Sequence, residues 1–476
     1  MSGLGNRTAI LTLARLASYG LQLISPIFLV RLLSVEEFGR YREFLLYASI
    51  LQAFAQFSIN DSLLYCVPAN PGSPWRLARQ TALLTLCSSL VVVLVLAGLD
   101  TWSGGHLVNG YLVPLVAYTL LSVNLDFWEY FWLANGKSKP VFFYSAGRLA
   151  VRVLVVVVTA ALTHDFHAVI WALVALEGTR FLAAGIVMVI VDRARHEPVL
   201  REPWRDQLRF CIPSGIASLL AMLNRNVSNV IVARTLGAVA LAQYAIGRFG
   251  EPVVATVRNS VSAVILPEMV RKDSGTALAL WQKATVVNTI MLFPVVVLVA
   301  RYAEPLVTWV FGPNYASAAT VMQIYMLVVI RECFDFAPAL RAVNRTRPLV
   351  ESNVAGLVAC TGAMLLLIPV AGLAGAMIAF VIASIIDVSW LGWRTLQAYR
   401  VSVRDLLPWR SIAKTAMAAA VAGLLVVSSV WTEVFGRPGI VLAGLAYLAA
   451  FVLLLQAMHV PEAMVLQAWG KRLVRG

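Results

Sequence analysis

Seven arginines interrupt long apolar stretches of the 476-residue sequence: Arg15, Arg148, Arg152, Arg225, Arg248, Arg258 and Arg331. A guanidinium keeps its proton at any physiological pH and presents a planar fork of donors, so the chemistry it suits is bidentate binding of phosphate or carboxylate oxygens. Facing lipid near the centre of a bilayer, each would cost about 2.5 to 3.5 kcal/mol, and the seven together approach about 20 kcal/mol, more than a typical domain's stability. They must meet counter-charges or water.

Some can pair within their own helix. Arg331 can reach Asp335 at i,i+4, and Arg248 and Arg180 can reach Glu251 and Glu177 at i,i+3. Arg15, Arg152 and Arg225 have no acidic residue at those spacings, which points them at a cavity. Arg148 lies one turn from Arg152 on the same face, and with Arg258 completes the candidate anion-binding set. Asp126 and Glu129 are expected to balance nearby Lys137 and Lys139, with proton coupling as the alternative. Arginines from both halves lining a water-filled cavity would suit a large anion, a phosphate group above all.

The elements that must position these residues are membrane helices. Mean hydropathy is +0.80, with 60% hydrophobic and 13% charged residues, far from the balance of a soluble domain. Apolar runs of roughly 20 residues follow one another, long enough for helices to cross a bilayer and without the alternation of a barrel. The first, near Thr8 to Leu32, is too long for a signal peptide. Later runs begin near Tyr41, Thr81, Asn109, Val141, Val169, Phe210, Ala240, Leu278, Ala318, Val350, Leu373, Ile412 and Ile440, which makes about fourteen spans of an all-α polytopic protein.

Alternate loops segregate Lys and Arg at roughly 23 to 6, so the basic side is expected to be cytoplasmic, with both termini on it. The net charge of +14 is then mostly topology, spread over many loops, and implies no nucleic-acid partner. The last stretch, "PEAMVLQAWGKRLVRG", reads as an amphipathic segment on the inner leaflet. Five scattered cysteines and five histidines, including His164 and His167 in "THDFH", form no metal-ligand pattern, and no cofactor is implied. "NGKS" at Asn135 lacks the glycine of a phosphate loop, because Phe131 stands in its place. The aromatic run "FWEYFW" reads as an interfacial belt.

The stretch "RLLSVEEFGRY" at Arg31 returns as "RTLGAVALAQY" at Arg234, and "ANGKSKP" at Ala134 returns as "AVNRTRP" at Ala342. Two matches at shifts of about 203 and 208 imply two parallel six-helix repeats, 1–200 and 201–405, followed by two further helices and a tail, 406–476. The opening stretch is then an outer turn between the first two helices of each repeat, broken near Ser34 and Gly237, with Glu36 and Glu37 as solvated turn residues.

The turn "LLSVEEFGRY", with "CIPSGIASLL", "LPEMVR", "VFGPNYASAA" and "AGLAGAMIA" in order, resembles the multidrug, oligosaccharidyl-lipid and polysaccharide exporter superfamily in its polysaccharide-transporter branch. The resemblance covers nearly the whole chain. It implies a non-enzymatic flippase that carries an undecaprenyl-diphosphate-linked O-antigen or exopolysaccharide unit across a bacterial inner membrane. It also implies membrane lipids, a polysaccharide polymerase and glycosyltransferases as partners. Where many relatives have an aspartate in the seventh helix this chain has Ser228, so no acidic coupling role transfers there. A cation-coupled drug exporter and a lipid II flippase are the alternatives within the superfamily. A membrane glycosyltransferase or polymerase would need acidic catalytic groups, usually on large outer loops, and no outer connection exceeds about 15 residues.

Overall fold

The structure is a computed structural model; the residues described are 24–69, 72–106, 108, 110–194, 203–426, 431, 436 and 438–460. Among them every regular element is helical. Helix α1 is described over 24–32, followed by α2 (Val35–Gln56), α3 (Leu63–Ala69), α4 (Pro74–Trp102), α5 (Leu112–Val123), α6 (Phe127–Ala134), α7 (Ser138–Thr163) and α8 (Phe166–Ala194). Then come α9 (Pro203–Gly247), α10 (Glu251–Val270), α11 (Ser274–Val310), α12 (Ala318–Glu332), α13 (Ala337–Ala342), α14 (Arg347–Tyr399), α15 (Val403–Leu406), α16 (Trp409–Val426) and α17 (Pro438–Ala457). Nine helices among the described residues are long and apolar enough to cross a membrane, and the chain is a multi-pass membrane protein. Helix α14, 53 residues long, would run about 80 Å if straight, so it holds more than one crossing. It breaks at Gly372 (φ 52°, ψ −128°).

The polar turn after α1 has a structural use. Ser34 caps α2 through a reciprocal box: its hydroxyl accepts from the Glu37 N–H at 3.2 Å, and its own N–H donates to Glu37 Oε2 at 3.0 Å. Glu36 pairs with Arg40 one turn on, at 2.5 Å, and Arg40 lies over the Phe166 ring. In the matching stretch the helix breaks at Gly237, where φ 83° with ψ −177° is a conformation open essentially to glycine alone. The second repeated stretch also falls on a turn in both places. Lys137 stands at the N-cap of α7 and Thr346 at that of α14, each ahead of a proline in the first turn.

The chain forms two compact units, Met1–Ala233 with Gly237–Ala242, and Arg234–Leu236 with Gln243–Gly476. In the first, α5 and α6 are separated by a break at residues 124–126, and Trp75, Phe127 and Trp128 pack with Leu63, Leu77 and Ala78 beside the break. In the second, α12 and α13 are broken likewise at 333–336, where Phe336 stacks on Trp281. Helices α16 and α17 pack on α11 in the second unit through Val286, Ala418, Ala422, Tyr447 and Phe451.

Candidate functional site

In the first unit α7 carries Arg148 and Arg152 one turn apart, and they meet different surroundings. Arg148 Nη1 donates to Asp126 Oδ1 at 2.5 Å and lies 3.6 Å from Glu129. Gln56 donates to the other Asp126 oxygen at 2.6 Å. The expected balance of Asp126 and Glu129 by Lys137 and Lys139 is therefore replaced: the chain break at 124–126 sets both carboxylates toward α7. On α8, Arg180 pairs with Glu177 three residues back and donates to the Tyr144 hydroxyl at 2.8 Å.

Arg152 has no carboxylate within 4.0 Å among the described residues. Its guanidinium stands 5.9 Å from the Tyr118 ring centroid, with Tyr41 and Glu177 as further electrostatic neighbours. Arg225, exposed on α9, also has no carboxylate within 4.0 Å among the described residues. Ser228, three residues on, is fully buried. Arg15 lies outside the described residues.

The second unit neutralises its arginines. Arg331 pairs with Glu332 at 2.7 Å and with Asp387 on α14. It does not take Asp335, because α12 ends at Glu332 and the i,i+4 register stops with it. Asp335 instead accepts from Ser262 at 2.9 Å and from the Ala337 N–H at 3.1 Å, with Arg258 Nε 4.0 Å away. Arg258 pairs with Glu332. Arg248, only 6% exposed, reaches Glu251 at 2.8 Å and lies 4.2 Å over the Phe380 ring.

Glu332 and Asp387 are partners that spacing alone did not single out; an aspartate inside "VIASIIDVSWLG" was the available signal. Glu43 is a third, 3% exposed and accepting from the Tyr47 hydroxyl at 2.7 Å. Among the described residues no cluster of His, Cys, Asp and Glu could hold a metal ion. Among the described residues the arrangement leaves Arg152 and Arg225 of the first unit without a carboxylate within 4.0 Å, and pairs each candidate arginine of the second with one.

A family model described as "Polysaccharide biosynthesis protein" matches residues 28–320. The chain belongs to this family. No curated protein sequence matches the chain. Among solved structures, the lipid II flippase MurJ in an inward closed conformation is similar, with a TM-score of 0.70 at 13% identity, over 94% of this chain and 98% of that one. An inward-facing multidrug resistance MATE family transporter of the MOP superfamily gives 0.57 at 14% identity, over 82% of this chain and all of that one. A MOP superfamily transporter from Pyrococcus furiosus, described with a binding pocket of reverse polarity, gives 0.52 at 14% identity, over 83% of this chain and 96% of that one. The chain shares its fold with these structures of a flippase and of transporters.

Proposed function

We propose that the protein flips a polyprenyl-diphosphate-linked oligosaccharide, an O-antigen or exopolysaccharide unit, from the cytoplasmic to the outer face of a bacterial inner membrane. The observation that carries this reading is that, among the described residues, no carboxylate lies within 4.0 Å of Arg152 or Arg225. A permanently charged fork in a membrane helix, with no carboxylate within 4.0 Å among the described residues, favours an anion brought by the cargo, and a diphosphate offers the oxygens such a fork binds. Membership of a polysaccharide biosynthesis family and a fold shared with a lipid II flippase support a lipid-borne glycan as that cargo.

Transport runs by alternating access, with the diphosphate held at the arginines while the polyprenyl chain stays in the bilayer. Arg148 is held by Asp126 and Glu129, so it serves the site by orienting α7 and lending partial charge. A diphosphate diester carries about two negative charges. Their outward movement is driven by an interior-negative potential, which contributes roughly 2.3 kcal/mol per charge per 100 mV. Both termini lie on the cytoplasmic side.

A drug exporter for cationic compounds would need acidic groups left unpaired near its site, the opposite of what surrounds Arg152. A lipid II flippase would share the diphosphate chemistry and differ in the sugar. Vesicles containing the purified protein and a lipid-linked oligosaccharide from its own cells, in parallel with lipid II, test the reading. Flipping of the oligosaccharide, detected by glycosidase access from the far side, is expected; flipping of lipid II alone would make peptidoglycan precursor the cargo, and flipping of neither would overturn the proposal.

A further inference from the structure

A groove of about 280 Å³ opens on the first unit beside α4, the break between α5 and α6, and α8. Its wall is apolar, formed by Leu83, Leu86, Phe181 and Met188, with Gly185 leaving room between them. On its rim Leu83 is 57% exposed, so the groove faces the surroundings of the helix bundle. On α4 the lining residues run from Arg79 to Leu86, about 10 Å along the helix. Arg79 stands six residues into α4 and is exposed, on the Lys- and Arg-rich side that we take as cytoplasmic.

In a bilayer such a groove fills with hydrocarbon, because no water competes for it and an empty apolar slot forfeits dispersion contacts on every wall. What distinguishes this one is the cation at its interfacial end. An acyl chain seated along the wall places its headgroup phosphate at the level of Arg79, where a basic side chain attracts anionic lipid. The deep end is different. Asn124, 6% exposed, donates its amide to Leu120 at 2.7 Å and Ser89 at 3.2 Å, while its Oδ1 accepts no hydrogen bond. A methylene against that oxygen would leave it unsatisfied, so the chain stops short of it.

We propose that this groove binds one anionic phospholipid of the inner leaflet, its phosphate on Arg79 and one acyl chain along Leu83, Leu86, Phe181 and Met188. The site shares no residue with Arg152 or Arg225 and does not depend on what the protein carries. Its role is to hold the inner ends of α4 and α8 against a lipid of chosen charge.

Native mass spectrometry of the full-length protein, titrated with phosphatidylglycerol, phosphatidylcholine or undecaprenyl phosphate, tests this. One phosphatidylglycerol should bind roughly fivefold more tightly than phosphatidylcholine, the scale of one basic residue at an anionic surface. Arg79→Gln should abolish that preference without removing the bound lipid. Gly185→Phe should remove it, since an added Cβ at Gly185 meets nothing within 4 Å and the ring can occupy the groove. If Gly185→Phe does not fold, the Arg79→Gln comparison still decides. Equal binding of the two phospholipids to the wild type, or a preference unchanged by Arg79→Gln, would overturn the proposal. So would undecaprenyl phosphate displacing phosphatidylglycerol from the Arg79-dependent site at equal concentration, which would make the groove a carrier-lipid site.

Discussion

Gly39 of α2 lies so close to Ala238 that a Cβ built on it would stand 2.1 Å from the Ala238 carbonyl oxygen. The contact joins the two copies of the repeated sequence stretch, one residue after the break at Gly237, and backbone on the far side gives it little room to yield. Gly39→Ala should therefore destabilise the protein by about 1 to 3 kcal/mol, the usual scale of overpacking. Gly147→Ala on α7, where an added Cβ meets nothing within 4 Å, is the control. Thermal unfolding in detergent should show a lower midpoint for the first variant and an unchanged or raised one for the second.

The charge cluster of the second unit should behave as structure. Glu332 holds both Arg258 and Arg331, so Glu332→Gln leaves two partly buried guanidinium groups short of their counter-ion. A loss of about 3 to 5 kcal/mol is expected, read as a fall in folded protein and in the unfolding midpoint. An unfolding midpoint equal to wild type would show that Asp387 and Asp335 suffice to hold the pair.

Asp273, at the head of α11 outside the spans, gives a pH test. Its carboxylate accepts from the Thr276 hydroxyl at 2.7 Å and the Thr276 N–H at 3.0 Å, and these bonds hold it below the usual carboxylate range. A depressed folded pKa contributes stability above the ordinary aspartate value of about 3.9 and loses it as pH falls through the folded value. The stability gap between wild type and Asp273→Ala should be full at pH 7 and shrink below about pH 4. A gap that grew on acidification would contradict the assignment.

Voltage supplies a further test. If two phosphate charges move outward, collapsing the membrane potential in vesicles should slow flipping, and restoring it with interior-negative polarity should recover the rate. Rates indifferent to potential would remove the electrical drive and leave the arginines as a binding site only.

The helical class and the turns were legible because hydrophobicity and turn chemistry are local. Apolar runs of spanning length, a proline in the first turn after Lys137 and Thr346, and a glycine at 237 each act within a few residues. The charge pairing was legible only where the partners stand three residues apart, as for Arg180 with Glu177 within α8 and Arg248 with Glu251 across the turn between α9 and α10. Arg331 shows the limit: helical spacing assigns it Asp335, but the chain leaves the helix after Glu332, and the partner comes from Asp387, 56 residues on. Likewise the break at 124–126 delivers Asp126 to Arg148 on the next long helix, where spacing within either helix gave no hint. Breaks inside spans decide which charges meet, and apolar sequence around a break looks the same as apolar sequence without one.

The most direct measurement is flipping of the lipid-linked oligosaccharide in vesicles by Arg152→Ala, Arg225→Ala and Arg152→Lys, at equal amounts of folded protein. Flipping should fall at least about tenfold in each alanine variant, with unfolding midpoints near wild type because neither arginine pairs with a carboxylate among the described residues. Lysine at 152 should recover part of it, as a point charge without the planar fork. Wild-type flipping by both alanine variants would show that the diphosphate is held elsewhere.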